Sequence, residues 1–325
     1  MPHKFNSSRR HEFDATRYKV TKFPEYNEIL LQRGDVTFWL REDVVQTWRA
    51  DKRDTPDCRP VYSDIAICVC LTLRQVYHQP LRQTQGLMRG LVVIMGIDVS
   101  MPDYSTLSRR GSGLKLPECS KIHRSGPIHL VVDSTGLKIF GEGEWLHNKH
   151  NVQPKRKSWR KLHLGLDLNT GEIVYTYLTK DDVGDPKALP ELLDQLEIPV
   201  SRFLADGAYD GAPTSDLLME RFVKDVEIII PPPITAVVSP KAARDPTPRD
   251  KHMAEIAQRG RMGWQVRCGY NQRSRAEAQI GRWKMVIRPK MHARKFDNQK
   301  TEPKIAAHIL NKMNELGRAK FELVS

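Results

Sequence analysis

Residues 159–179 read WRKLHLGLDLNTGEIVYTYLT, and the fold turns on them. Residues 159–168 alternate along W-R-K-L-H-L-G-L-D-L, the period of a strand with one buried face. Asn169, Thr170 and Gly171 are turn formers, and residues 172–179 are apolar and β-branched, so the chain is expected to return as a second strand. Upstream, residues 128–133 (IHLVVD) form a short apolar run ending in an acid, and residues 136–140 are expected to pair back onto it. Downstream, residues 186–196 read as an amphipathic helix behind Asp185, and residues 202–206 (RFLAD) as a buried strand. Residues 213–222 read as a helix, and residues 226–230 as a strand closed by Pro231, Pro232 and Pro233. Residues 234–262 form an excursion with one short helix at 252–258, and helices follow at 272–287 and 302–316. This order predicts an α/β fold, a mixed sheet with flanking helices.

The first part of the chain has another texture. Residues 1–60 are polar and broken by Pro24, Pro56 and Pro60, which predicts short helices or irregular structure. Residues 62–77 are helical in pattern and open on Ser63 and Asp64 as a cap, and a second helix over 81–95 ends at Gly96. A third begins at Pro102-Asp103-Tyr104-Ser105 and ends on Arg109 and Arg110. Three such helices resemble a helix-turn-helix module as well as an ordinary helical packing domain. Residues 111–127 read as a linker, so a mainly helical domain is expected over 1–125 and the α/β domain over 126–325.

The formal charge is +13 and is unevenly spread: net +6 over residues 1–125 (20 basic, 14 acidic), −4 over 126–250 (15 and 19) and +11 over 251–325 (17 and 6). An acidic middle between basic ends points to a polyanion held around a carboxylate site. No apolar run approaches 18 residues and the first residues lack an apolar leader, which argues against a membrane helix or a secretory signal. The five cysteines (Cys58, Cys68, Cys70, Cys119, Cys268) are odd in number and form no CxxC pair. That argues against a disulfide framework or a zinc ribbon, and a reducing cytosol is expected.

Two acids end strand-like runs, Asp133 in VVDSTG and Asp206 in LADGAYD. Hard carboxylate oxygens at adjacent strand ends suit Mg²⁺, although each alone could equally cap a helix or a turn. Residues 270–284 read YNQRSRAEAQIGRWK. Tyr270, Arg273, Glu277 and Lys284 share one helical stripe if the helix reaches back to Tyr270. A carboxylate for metal, two cations for phosphate and a phenol then face one way. The plainer reading is a solvated helix with an i,i+4 pair between Arg273 and Glu277. The competing acids are Asp167, Asp181, Asp182, Asp185 and Asp210; Asp182 and Asp185 are assigned to the cap of the helix after Pro186, and Asp210 to that of the helix after Ala212. Residues 149–161 (KHNVQPKRKSWRK) carry Lys155, Arg156, Lys157, Arg160 and Lys161 beside Trp159. They suit a nucleic-acid backbone with Trp159 stacking, or else a solvated loop with Trp159 in the core. His147, His150 and His163 fit core or surface roles better than metal ligation, and Trp283 is expected to pack its helix onto the sheet.

The spacing Y-x2-R-x3-E-x6-K resembles the signature around the catalytic Glu of the DDE transposases of bacterial insertion sequences, the YREK-signature group. VVDSTGLKIFGEGEW, WRKLHLGLD, DVGDPKALPELLDQ, ADGAYD and PDYSTLSRR are also similar to segments of that family, over residues 60–316. The strand order and this resemblance together imply a ribonuclease H-like catalytic domain behind a helical DNA-binding domain. The implied triad is Asp133, Asp206 and Glu277, holding two Mg²⁺ ions, with Mn²⁺ able to substitute. The implied activity is cleavage of element ends and joining of the 3′-OH to target DNA. The implied partners are terminal inverted repeats, target DNA and further copies of the chain on paired ends, at the bacterial nucleoid. Arg109, Arg110, Lys155, Arg156, Lys157, Trp159, Arg160, Lys161, Tyr270, Arg273 and Lys284 are the expected DNA contacts. A stand-alone nuclease of the same fold, or a catalytically decayed DNA-binding protein, are the alternatives.

Overall fold

The computed structural model describes residues 17–40, 42–50, 61–114, 116, 126–139, 159–222, 226–240 and 242–324. Lys155, Arg156, Lys157, His147 and His150 lie outside the described residues. The chain forms two compact units, one of residues 1–38 and 312–325 and the other of residues 39–311. No helix among the described residues is long and apolar enough to cross a membrane.

The smaller unit joins the ends of the chain. Its β1 (Arg17–Thr21) and α1 (Phe23–Gly34) come from the start of the sequence. β1 pairs antiparallel with a strand of the last residues, Lys320–Val324, from Arg17↔Val324 to Thr21↔Lys320. Arg33 donates to the Gly317 carbonyl at 3.0 Å. Gly317 has φ +126°, and a Cβ there would lie 2.7 Å from Ile29 Cδ1. No strand in either segment is expected from local pattern, because each partner is supplied from the other end of the chain.

The larger unit includes, ahead of its sheet, the helices α2 (Asp64–Val76), α3 (Leu81–Ile94) and α4 (Tyr104–Arg110). Their starts are set locally. Ser63 Oγ accepts the Ala66 N–H at 3.1 Å, and the Asp103 carboxylate accepts Ser105 N–H and Thr106 N–H at 2.7 and 2.9 Å. Gly96, just past α3, takes the left-handed conformation at φ 64°.

The sheet follows with β2 (Ile128–Ile139), β3 (Trp159–Asp167) and β4 (Ile173–Lys180), then α5 (Asp185–Leu193), β5 (Val200–Leu204), α6 (Ala212–Phe222) and β6 (Glu227–Ile229). The order is β4-β3-β2-β5-β6, with β2, β3 and β4 antiparallel and β5 and β6 parallel to β2, the expected ribonuclease H-like arrangement. Asp167 closes the β3–β4 turn: its carboxylate accepts Asn169 N–H, Thr170 N–H and Thr170 O–H. One expectation is corrected here. Residues 136–139 do not fold back on 128–133 but continue them as a single strand, because β3 pairs along the whole length from Leu130↔Asp167 to Lys138↔Trp159.

Alternate residues Ile128, Leu130 and Val132 of β2 enter a core with Phe203, Ala205, Leu189, Leu192 and Leu218, under α5 and α6. The next residues in register therefore face the other way. Tyr175 packs flat over Gly165, where a Cβ would lie 2.3 Å from the ring. Gly165→Ala is expected to destabilise the protein by about 1–3 kcal/mol through overpacking, read as a lower urea midpoint at unchanged slope.

After β6 the chain makes α7 (Pro248–Arg267), α8 (Ser274–Val286), β7 (Lys290–Met291), α9 (Phe296–Glu315) and β8 (Lys320–Val324). α7 is far longer than the short helix expected at 252–258, and it kinks at Gly260, which has φ 72°. A capping box between Thr247 and Asp250 starts it. His252 then contacts the Ile228 carbonyl through Nε2 at 2.7 Å and accepts the Trp264 indole N–H on Nδ1 at 3.0 Å. A carbonyl can only accept, so the His252 proton resides on Nε2. α9 begins six residues before the expected start at residue 302 and carries Pro303 inside.

Candidate active site

β2 offers an open edge where the carboxylates gather. Its residues 128–131 pair with β5 and its residues 138 and 139 pair with β7, leaving the stretch between them without a strand on that side among the described residues. Asp133 lies in that stretch. The last β2–β5 pair is Val131↔Leu204, and Asp133 and Asp206 each lie two residues beyond it, 131 + 2 and 204 + 2. Alternation puts both on the face opposite the core under α5 and α6. Asp206 caps the short 3₁₀ turn Gly207–Tyr209, accepting the Ala208 N–H at 2.9 Å.

Glu277 comes from the first turn of α8. The helix does not reach back to Tyr270 as the stripe required. Gly269 takes φ 68°, and Tyr270–Arg273 forms a 3₁₀ turn before α8. Arg202 on β5, which the sequence did not single out, sets this turn. It lies 2.7 Å from the Glu227 carboxylate and donates to the Cys268 carbonyl at 2.5 Å. Arg202 could have been suspected only as a cation inside the apolar run RFLAD.

Arg273 ties the site together. One arm donates to Asp133 Oδ2 at 3.2 Å and the other to the Glu277 carboxylate. Asp133 Oδ1 accepts the Ser134 N–H at 2.8 Å. Burial pushes the Asp133 carboxyl above its ordinary range; Ser134 and Arg273 oppose this, while the charges of Asp206 and Glu277 add to it. Burial works against the Arg273 charge, but Tyr270, Asp133, Glu277 and Asp206 outweigh it and hold the guanidinium protonated. The Tyr270 phenol is pushed up, by burial first. Its ring lies 6.0 Å from the Arg273 guanidinium and 5.3 Å from the Trp264 ring. Among the described residues, no three His, Cys, Asp or Glu side chains converge on one point as they stand; Arg273 fills that role between Asp133 and Glu277.

The competing acids have other partners. Asp210 lies 3.0 Å from Arg249, and Asp167 serves the β3–β4 turn. Asp185 does not cap α5, whose N-cap is Gly184. It lies 2.9 Å from Lys161 Nζ and 3.2 Å from Nδ1 of the buried His163. Burial pushes its carboxyl up, but hydrogen bonds from His163, Lys161 and Ser134 outweigh this and hold it at about 2 against an ordinary 3.8. A depressed folded value means the stabilisation is present above pH 3.8 and is lost as pH falls toward about 2. Asp185→Asn should cost about 1.5–3 kcal/mol at neutral pH. The gap from the parent should narrow below pH 4, as urea unfolding at both pH values would show.

The basic residues divide. Arg110 donates to Asp64 Oδ1 at 2.6 Å and to the Tyr62 carbonyl at 3.0 Å, so it holds α4 to the start of α2. Lys161 is paired with Asp185, and Arg160 donates to Gln299 at 3.0 Å and stacks 5.1 Å from the Phe296 ring. Trp159 is half-buried and lies against Gly136, where a Cβ would be 3.1 Å from its ring. Arg109 is exposed, its guanidinium donating to Thr106 at 3.3 Å, and Lys284 is partly buried and has no ion pair among the described residues.

A family model described as a transposase DDE domain matches residues 124–312, and a second with the same description matches residues 31–142. Among solved structures, the chain is similar to the piggyBac transposase in a synaptic complex with hairpin DNA, at 10% identity and a TM-score of 0.43, over 94% of this chain and 80% of that one. It is also similar to a pre-cleavage Mos1 transpososome (12% identity, TM-score 0.22) and to the Mos1 transposase paired-end complex with left transposon end (13%, 0.22), each over 83% of both chains.

Proposed function

Because the chain belongs to the DDE transposase family, we propose that Asp133, Asp206 and Glu277 are its catalytic triad, cutting element ends and joining the freed 3′-OH to target DNA. The observation that carries this is the placing of Asp133 and Asp206 two residues past one strand pair, with Glu277 bound to Asp133 through Arg273.

The donor set suits divalent cations. Burial first, and then the charges of Asp206 and Glu277, push Asp133 toward its neutral form, and a bound cation would favour its charged form. Asp133, Asp206 and Glu277 would hold two Mg²⁺ ions, or Mn²⁺ in their place. When bound, such ions activate water and stabilise the leaving 3′-oxygen. The chain's own residues do the positioning. Arg273, released from Asp133 and Glu277, swings its planar guanidinium to a phosphate, and Tyr270 supports it by ring contact. Lys284, two turns after Glu277 on α8, extends the cationic strip along a strand. Arg109 at the end of α4 and the 155–157 cluster supply further phosphate contacts, with residues 1–125 as the DNA-binding region and further copies of the chain assembling on paired ends.

The test is a strand-transfer assay with Mg²⁺ on duplexes bearing the ends that flank the gene. Cleavage with joined product is expected. Nicking without joining would favour a stand-alone nuclease, and no metal-dependent product would overturn the reading. In the same assay, Arg273→Ala should bind duplex within about threefold of the parent yet cleave about 10²–10³ times more slowly, as loss of a charge-positioning group does.

A further inference from the structure

A cavity of about 350 Å³ lies between α2, α4 and the start of α9, well away from the carboxylates in sequence and built entirely within the larger unit. That volume is in the range of small-molecule sites. Leu71, Leu107 and Ile305 make its apolar wall. Its polar groups are out of balance. Arg74 is partly buried in the last turn of α2, and its side-chain Nε is buried without a hydrogen-bond partner among the described residues. A desolvated guanidinium N–H without an acceptor is costly.

Glu302 attracts the Arg74 charge through space but makes no hydrogen bond or ion pair with it among the described residues. Glu302 already accepts His292 N–H at 2.9 Å, Ala293 N–H at 3.0 Å and contacts His292 Nδ1 at 3.2 Å. Two acceptors are also left without donors. Gln75, 7% exposed, donates through Nε2 to the Glu302 carbonyl at 3.0 Å, and its Oε1 is buried without a partner. Asn298 donates through Nδ2 to the Ser108 carbonyl at 2.9 Å, and its Oδ1 is buried without a partner. Both amides are oriented by the carbonyl their NH₂ serves, so neither can turn round to satisfy itself. Arg294 and Lys295, both exposed, add positive charge to the lining.

A ligand that answers this lining carries an anion for Arg74, N–H or O–H donors for Gln75 and Asn298, and a flat apolar body for the leucines. We propose that the cavity binds a nucleotide, its phosphate on Arg74, Arg294 and Lys295 and its base against Leu71, Leu107 and Ile305. The nucleotide is either free or one unit of a DNA strand.

The proposal is tested without metal and without cleavage, so its outcome is separate from that of the catalytic reading. The full chain in EDTA is titrated calorimetrically with AMP, adenosine and inorganic phosphate. AMP should bind at one per chain and adenosine about tenfold or more weaker, the phosphate contact being charge-assisted. Arg74→Gln should weaken AMP by about tenfold, and Arg294→Ala, an exposed change that leaves the fold intact, by about threefold. A short single-stranded oligonucleotide that displaces AMP identifies a strand nucleotide as the occupant; AMP binding that the oligonucleotide leaves unchanged identifies a free one. If AMP does not bind, and neither variant weakens oligonucleotide binding, the proposal is wrong.

Discussion

Asp133→Asn should reduce metal-dependent cleavage by about a thousandfold or more while leaving duplex binding within about twofold, since losing even one charge-stabilising group costs 10²–10³ in rate. Asp206→Asn and Glu277→Gln should do the same, because each keeps the side chain's size and removes one of the charges proposed to hold the ions. Asp133 carries a second signature. Its folded carboxyl is raised above its ordinary range, by burial first and then by Asp206 and Glu277. A carboxyl raised on folding weakens the fold wherever it is ionised, so at neutral pH the asparagine variant should unfold at the same urea concentration as the parent or a higher one. Activity and stability then move in different directions, which a merely structural residue would not do. A variant that cuts at the parental rate, or whose lost cutting follows a lost fold, would remove Asp133 from the triad.

Trp283→Ala should be the most destabilising single change near the site, at about 3–5 kcal/mol, the usual cost of emptying a buried aromatic position. Trp283 is 2% exposed and shares a small cavity wall with Leu137 of β2, Met291 of β7 and Ala306 of α9. With Ala276 and Gln279, it is one of the buried residues of α8, the helix that carries Glu277. Trp283→Phe should keep about half of the lost stability, since most of the apolar volume remains. Urea unfolding gives the stability and the cleavage assay gives the coupling: the alanine variant should lose cutting even at temperatures where it is folded. An alanine variant with a parental midpoint would mean that other contacts hold the helix.

What could be read from the residues themselves is what local chemistry decides. Ser63 and Asp103 cap their helices because a short side-chain oxygen reaches the next free N–H groups wherever such a sequence occurs. Asn169-Thr170-Gly171 turns the chain, with Gly171 at φ 66°, for the same reason. The acids ending IHLVVD and RFLAD, and the spacing from Tyr270 to Lys284, are legible as pattern, and with them the order of strands; the choice of Asp133, Asp206 and Glu277 among the acids comes from the family resemblance.

What only tertiary contacts decided is everything whose partner is distant. Ser134-Thr135-Gly136 has turn-forming residues yet stays extended, because β3 pairs it at His163, Leu162 and Lys161. β1 exists because residues 320–324 lie beside it. A lysine or arginine looks the same in sequence whether it meets a phosphate or a carboxylate. Only the fold shows that Arg110 pairs with Asp64 and Lys161 with Asp185. Tyr270 comes to the carboxylates by a 3₁₀ turn after Gly269 and not by helical periodicity, since Arg202 on β5 holds the Cys268 carbonyl and ends α7 there. A backbone carbonyl caught by a side chain 66 residues earlier is a consequence of the fold, and no local pattern encodes it.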